Sequence, residues 1–129
     1  AARFAADGYD VVAVDNLTTG FANNVPAGCE LVVGDVAETK TIDEIPTREY
    51  LACCHLAAQS SGEISFEDPS ADLRTNAIGT LNMLEWCRSQ GVGKFVFASS
   101  MSVYGDQPLY TPVVESAACV PKSFTASLS

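Results

Sequence analysis

The sequence predicts a doubly wound α/β fold, in which helices cover both faces of a parallel sheet. Four short runs of apolar, often β-branched residues have the length and composition of strands buried on both faces, which belong to parallel sheets. Helical segments alternate with these runs, and right-handed crossovers place such helices on the two sides of the sheet. The four predicted strands are residues 10–15, 30–35, 50–56 and 94–99.

The elements around the first strands are short. Residues 1–7 are predicted to be helical, and Gly8 follows at the position of a C-terminal cap. Residues 16–28 are rich in Asn, Thr, Gly and Pro, which predicts a loop. Residues 41–50 predict at most a short helix, because Pro46 interrupts them.

One long helix is predicted before the fourth strand. Residues 59–65 are polar and predict a loop. Between residues 70 and 90 apolar side chains recur at spacings of three and four, which is the pattern of an amphipathic helix, and Gly91 can cap its end. Residues 100–122 contain three prolines and are predicted to be a loop.

Composition and charge exclude several classes of protein. The chain has 129 residues, with 16 acidic and 7 basic side chains and a formal net charge of −9. This charge repels phosphate backbones and anionic membranes, so no nucleic-acid or membrane partner is expected. No apolar run approaches the roughly 20 residues of a membrane span. The five cysteines form no C-x-x-C pair, which predicts no metal site and fits a reducing, cytoplasmic setting.

Candidate ligand-binding residues stand at the carboxyl ends of the predicted strands, where doubly wound sheets bind ligands. Asp15 can accept two hydrogen bonds from a ribose and repels a 2′-phosphate, which favours NAD over NADP. Asp35 can accept a hydrogen bond from the adenine amino group, and Val36 can pack on the ring. Either aspartate can instead simply begin a turn.

Further candidates follow the other strands. Ala57 and Ala58 are small enough to let a pyrophosphate approach the backbone, or to permit close packing of sheet and helix. Asn76 needs partners if it is buried; it can tie the helix to loop backbone near a cofactor, or face solvent. The hydroxyls of Ser99 and Ser100 can bind a substrate alcohol or carbonyl, or form an ordinary serine-rich turn.

Five ordered blocks of sequence resemble the extended short-chain dehydrogenase/reductase family, and within it the NAD-dependent epimerase/dehydratase group that acts on nucleotide sugars. The blocks are VVAVDNLTTG at 11–20, VGDV at 33–36, HLAAQ at 55–59, NAIGTLNMLE at 76–85 and FVFASSMSVYG at 95–105. The first block is most similar to UDP-glucose 4-epimerase-like members. The resemblance covers the chain up to about Phe124.

The resemblance implies a Rossmann-like fold, a bound NAD and a nucleotide-sugar substrate. In the family reaction a sugar hydroxyl loses its proton while a hydride passes to NAD, and the resulting keto-sugar is reduced again or dehydrated. A tyrosine with a lysine four residues later is the acid/base of this reaction. Ser100 is implied as the active-site serine. The implied cofactor-binding residues are Asp15 and Asn16 for the ribose, Asp35 and Val36 for the adenine, and Leu56, Ala57, Ala58, Asn76 and Ser99.

Two parts of the family pattern are absent from the sequence. The first is the loop G-x-x-G-x-x-G, which seats a pyrophosphate at a helix N-terminus, together with the strand before it. We expect both to lie upstream of residue 1, so that residues 1–129 form a partial domain. The lost strand is the central one of the order 3-2-1-4-5, which predicts a gap between the strands at 10–15 and 50–56.

The second missing part is Tyr-x-x-x-Lys, since Thr125 and Ser129 stand at its expected positions. A threonine hydroxyl is too weak an acid for this role, so the isolated chain is predicted to be inactive. Three interpretations stay open: a fragment of an epimerase/dehydratase, a non-catalytic nucleotide-binding or interaction protein on the same scaffold, and a truncated product without a role. A homodimer through the helix at 70–90 is a further expectation.

Overall fold

Parallel strands alternate with helices in the computed structural model, which describes residues 1–106, 112–122 and 127. This arrangement confirms the predicted α/β class. The strands are β1 (Val12–Asp15), β2 (Glu30–Val33), β3 (Cys53–His55) and β4 (Phe95–Phe97). The α-helices are α1 (Ala2–Ala6), α2 (Thr39–Asp43), α3 (Gly62–Glu67), α4 (Pro69–Leu73) and α5 (Gly79–Ser89). A π-helical turn spans Arg74–Ile78, and 3₁₀ turns span Ala22–Asn24 and Met101–Tyr104.

The strands form two separate parallel pairs. In the first pair β1 lies beside β2, with Val12 opposite Glu30, and in the second β3 lies beside β4, with Cys53 opposite Phe95. Over the described ranges no ladder joins β1 to β3. The gap that the sequence predicts between these two strands is therefore confirmed.

The two strand pairs are joined at both ends. At the amino ends, the guanidinium of Arg48 donates to Asp10, with Nη1 2.7 Å from Oδ2, and to Glu30. These two acids precede β1 and begin β2, whereas Arg48 lies shortly before β3. At the carboxyl ends, Val14 and Ala57 pack against a shared apolar cluster. The buried members of this cluster are Val36, Ile45 and Met83.

The strands are less buried than the sequence predicts. Val33 at the end of β2 is 55% exposed, and Val96 in β4 is 54% exposed. The physical reason is that the faces of the strand pairs are covered unevenly, since α5 packs on β3 whereas the side chains of Val33 and Val96 face solvent. Apolar runs of this composition indicate strands correctly, but their full burial requires covering elements on both faces.

The predicted helix over residues 70–90 is correct in place but begins earlier and is interrupted. The Oγ atom of Ser61 accepts from the backbone N–H of Ile64, so a helix starts at Gly62 inside the predicted loop. Asp68 then caps α4, with Oδ1 3.0 Å from the N atom of Ala71. The wider π-helical turn separates α4 from α5. Side-chain caps of this kind favour new helix starts in polar sequence.

Candidate functional site

A cleft of about 830 Å³ lies between the two strand pairs. It occupies the gap between β1 and β3. Seven predicted site residues line it together: Asp15, Asn16, Asp35, Val36, Leu56, Ala57 and Ala58. The structure thus brings the residues that follow β1, β2 and β3 to one surface, as expected for the carboxyl ends of a doubly wound sheet.

The turn after β1 is held by its own side chains. Asp15 Oδ1 accepts from the backbone N–H of Leu17 at 2.7 Å, and Asn16 Oδ1 accepts from that of Thr18 at 3.1 Å. Leu17 has φ 57°, a backbone angle that costs an L-residue about 1–2 kcal/mol. A Cβ atom on Gly20 would lie 3.3 Å from Asp15 Oδ1, so this glycine leaves room for the carboxylate. The turn therefore fixes the acid at the edge of the cleft.

The turn after β2 is built in the same way. Asp35 Oδ1 accepts from the backbone N–H of Ala37 at 2.8 Å. Val36 is only 6% exposed and belongs to the core, while its carbonyl accepts from Asn82 Nδ2 at 2.9 Å. A Cβ atom on Gly79 would lie 2.8 Å from Val36 Cγ2, so α5 approaches this turn closely. Both aspartates thus form the turns that the sequence allows, and both also face the cleft.

The segment after β3 is held at both ends by hydrogen bonds to one helical stretch, which we call its two anchors. His55 ends β3, and its Nε2 lies 3.0 Å from Thr80 Oγ1. Four residues later, the backbone of Gln59 pairs with the Asn76 side chain at 2.8 Å and 2.9 Å. Leu56, Ala57 and Ala58 lie between these anchors and line the cleft. The sequence allows Asn76 either to bind loop backbone or to face solvent, and in the structure its side chain binds loop backbone.

A buried polar cluster around Asp72 is not predicted from the sequence. Asp72 and Ser65 are both 0% exposed, and Ser65 Oγ donates to Asp72 Oδ2 at 2.8 Å. Asp72 Oδ1 accepts from Asn76 Nδ2 at 2.7 Å and from Gln59 Nε2 at 3.2 Å. The one available signal was the spacing of four between Asp72 and Asn76, which puts both on one helix face.

Two further candidates, Ser99 and Ser100, are not among the residues that line the cleft. Ser99 is exposed at the end of β4, and Ser100 is half-buried. The Oγ of Ser100 accepts from the backbone N–H of Ser102 at 3.2 Å and caps the following 3₁₀ turn. Thr125 and Ser129, at the expected tyrosine and lysine positions, fall outside the described residues.

His55 is a core residue at the end of β3. It is 4% exposed, and its ring stacks on Phe97 with centroids 6.0 Å apart and lies 5.7 Å from the ring of Phe95. Burial lowers the pKa of His55. In the same core, burial and then the neighbouring Cys87 raise the pKa of Cys53 to about 12. Neither side chain has the exposure of a nucleophile or proton shuttle.

These features define a class of protein. Carboxylates at the ends of neighbouring parallel strands, beside a cleft and flanked by crossover helices, are typical of Rossmann-type nucleotide-binding proteins. The sequence model of the NAD dependent epimerase/dehydratase family matches residues 1–124, and the chain belongs to this family. None of the described helices has the length and apolar character needed to span a bilayer.

The chain is similar to proteins named UDP-glucose 4-epimerase. It is 36% identical over 114 residues to the one from Mycolicibacterium smegmatis, covering 84% of this chain and 36% of the relative. Against the one from Rhizobium meliloti the identity is 36% over 104 residues, covering 80% of this chain and 31% of the relative. The chain therefore spans about a third of the length of these relatives.

Solved structures that are similar to this chain also include UDP-glucose 4-epimerases. The Thermus thermophilus UDP-glucose 4-epimerase in complex with NAD has a TM-score of 0.86 and 36% identity, covering 98% of this chain and 42% of that one. The Thermotoga maritima enzyme with UDP-glucose has a TM-score of 0.85 and 30% identity, again covering 98% and 42%. Nearly the whole of this chain thus superposes on part of a larger enzyme fold.

Proposed function

We propose that residues 1–129 form the NAD-binding part of a nucleotide-sugar epimerase or dehydratase. The observation that carries this proposal is the single cleft lined by the acidic turns after β1 and β2 and by the small residues after β3. Asp15 and Asn16 would bind the adenosine ribose, and Asp35 with Val36 the adenine. Leu56, Ala57 and Ala58 would lie along the central part of the dinucleotide, with Asn76 and Ser99 beside it.

The donor set of the cleft fits this cofactor. The Oδ1 atoms of Asp15 and Asp35 hold their own turns, and each carboxylate has a second oxygen that can accept from a hydroxyl or amino group. The negative charge of Asp15 disfavours a 2′-phosphate at the same place, so NAD is favoured over NADP. The small side chains of Ala57 and Ala58 permit close approach of a pyrophosphate to the backbone.

When bound, NAD would accept a hydride from one sugar carbon of the substrate and return it. The residue of this chain that would act on the same sugar is Ser100. Because its Oγ accepts from Ser102, its hydroxyl hydrogen can be donated to the reacting oxygen of a nucleotide sugar. This bond would orient and polarise the oxygen as it changes between hydroxyl and carbonyl.

The isolated chain is expected to bind NAD without turnover. The sequence has threonine and serine at the positions of the family's tyrosine and lysine, so the acid/base is lacking. This departure also favours a second candidate function, a non-catalytic nucleotide-binding protein on the same scaffold. We place either protein in the reducing, cytoplasmic setting that the cysteine pattern favours.

Calorimetric titration of NAD and NADP, followed by an assay for conversion of UDP-glucose to UDP-galactose, tests the proposal. NAD binding that is tighter than NADP binding supports it. If the chain converts the sugar, the assignment of inactivity is wrong. If neither nucleotide binds, the chain is better explained as a truncated product without a role of its own.

We also propose a homodimer through the helices between residues 69 and 89. Leu73, Leu81 and Leu84 are 49%, 53% and 43% exposed there, an unusual degree for leucines at helical spacing. Burying them against a second copy would remove apolar surface from water. Sedimentation of Leu81→Glu tests this: a dimer in the wild type and a monomer in the variant support it, and identical behaviour contradicts it.

A further inference from the structure

We propose that Asp72 is a positioning residue, which through Asn76 and Gln59 fixes the backbone after β3 and so presents Ala57 and Ala58 to the cleft. The inference rests on the proposed function, because it concerns how that cofactor-lining segment is held. Asp72 itself is 0% exposed and is not one of the residues that line the cleft. Its link to the segment after β3 runs through the side chains of Asn76 and Gln59.

The first link is between Asn76 and the backbone of Gln59. Asn76 Oδ1 accepts from the Gln59 N–H at 2.8 Å, and Asn76 Nδ2 donates to the Gln59 carbonyl at 2.9 Å. The side-chain amide thus pairs with both polar backbone groups of one residue, as a neighbouring strand does in a sheet. This pairing succeeds in only one orientation of the amide, because a reversed amide would put NH₂ against N–H.

The second link sets that orientation. Nδ2 of Asn76 carries two hydrogens, and the one not used by Gln59 is donated to Asp72 Oδ1 at 2.7 Å. An ionised carboxylate is an acceptor only. It therefore requires the nitrogen of the Asn76 amide to face it, which directs Oδ1 towards the Gln59 N–H. A side chain at position 72 that could both donate and accept would allow either orientation of the Asn76 amide.

The third link holds the side chain of Gln59 as well. Its Nε2 donates to the carbonyl of Ser61 at 3.0 Å and to Asp72 Oδ1 at 3.2 Å, and its Oε1 accepts from the N–H of Ser61. Ser65 Oγ binds the other carboxylate oxygen of Asp72. One carboxylate therefore joins α3, α4 and the segment that follows β3.

The local helix geometry supports the same role. Asn76 lies within the π-helical turn Arg74–Ile78, a conformation that is uncommon and occurs often at functional sites. The carbonyl of Asn76 accepts from Thr80 Oγ1 at 2.7 Å, and this same hydroxyl contacts His55. The two residues that hold the segment 56–58, Asn76 and Thr80, thus lie within five consecutive helical residues.

Amide hydrogen exchange followed by NMR tests the ordering role without any nucleotide. In the wild type we expect the Asn76 side-chain amide to exchange at least tenfold more slowly than that of the exposed Asn23. In Asp72→Ala we expect the Gln59 N–H to exchange at least tenfold faster, while the strand amide of Cys53 stays within threefold. Asp72→Asn keeps the size of the side chain but adds a donor, so it no longer selects one orientation of the Asn76 amide and should restore only part of the protection. Glu67→Ala, on the exposed side of α3, should change neither amide.

Nucleotide affinity separates positioning from a general loss of structure. We expect Asp72→Ala to weaken NAD binding at least tenfold and AMP binding less than threefold, because Asp15 and Asp35 lie on the other strand pair. An equal loss of both affinities, or no loss, overturns the inference. So does rapid exchange of the Asn76 amide in the wild type, which needs no variant to fold. A wild-type chain that binds neither NAD nor AMP overturns the proposed function instead, and the exchange rates still decide whether Asp72 orders the segment.

Discussion

Asn16 and Asp35, which follow neighbouring strands, meet across the edge of the cleft, with Asn16 Nδ2 3.5 Å from Asp35 Oδ2. This contact joins the turn after β1 to the turn after β2. Asp15 stands next to Asn16 in the first of these turns, so two carboxylates lie on the same rim. The rim has the polarity to accept hydrogen bonds from an adenosine, and the charge of Asp15 can be tested by substitution.

Asp15→Asn is expected to weaken NAD binding about tenfold and to narrow the preference for NAD over NADP. The asparagine keeps an oxygen for the Leu17 N–H but removes the charge, and a hydrogen bond to a charged group contributes about 1.5–3 kcal/mol. Loss of the charge also removes the repulsion of a 2′-phosphate. Titration calorimetry of both nucleotides measures this, with the exposed Asp43→Asn as control. An unchanged ratio of the two affinities would contradict the role of Asp15.

Gly34→Ala is expected to lower the free energy of unfolding by about 1–3 kcal/mol, the usual cost of overpacking. A Cβ atom at Gly34 would lie 2.7 Å from Cγ2 of Thr41, which is 6% exposed and has little room to move. Gly93→Ala is the matched control, because a Cβ atom there meets nothing within 4 Å. Urea denaturation of both variants gives the comparison. Equal stability of the two would show that the contact between β2 and α2 is looser than the structure has it.

Local patterns predicted where the four strands lie, because an apolar run is a property of adjacent residues, although the predicted runs are longer than the strands of the structure. They did not predict α3, whose start depends on the Ser61 cap, nor the degree of strand exposure, which depends on what covers each face. Local patterns could not predict the burial and contacts of Asp72 for a similar reason. One aspartate within a helix is normally solvated, and its burial here results from contacts with Ser65 and Gln59, which are distant in the helical repeat.

Alkylation of the native chain is expected to distinguish the adjacent cysteines of β3. Burial raises the pKa of Cys53 to about 12, so very little of this thiol is ionised at pH 8, and the thiolate is the nucleophile. Cys54 points the other way and is exposed. A short iodoacetamide pulse with fragment-ion mass spectrometry should show label on Cys54 and little on Cys53. Equal labelling before unfolding in guanidinium would mean that β3 is not packed as described.

Stability is expected to fall as the pH decreases below about 6.5, through His55. Burial lowers the pKa of His55 in the folded chain, whereas the unfolded chain has the ordinary value near 6.5. Below that value the unfolded state binds a proton that the folded state resists, so stability that is complete above pH 6.5 is lost progressively at lower pH. The slope from one proton is at most about 1.4 kcal/mol per pH unit.

His55→Phe isolates this contribution. The ring can keep its packing against Phe95 and Phe97, but it neither titrates nor contacts Thr80. We expect the variant to be less stable at pH 7.5 and to lose less stability than the wild type between pH 7.5 and 5.5. Urea denaturation at intervals of half a pH unit measures both slopes. Parallel pH profiles for the two proteins would place the titrating group elsewhere, since the carboxylates remain in both.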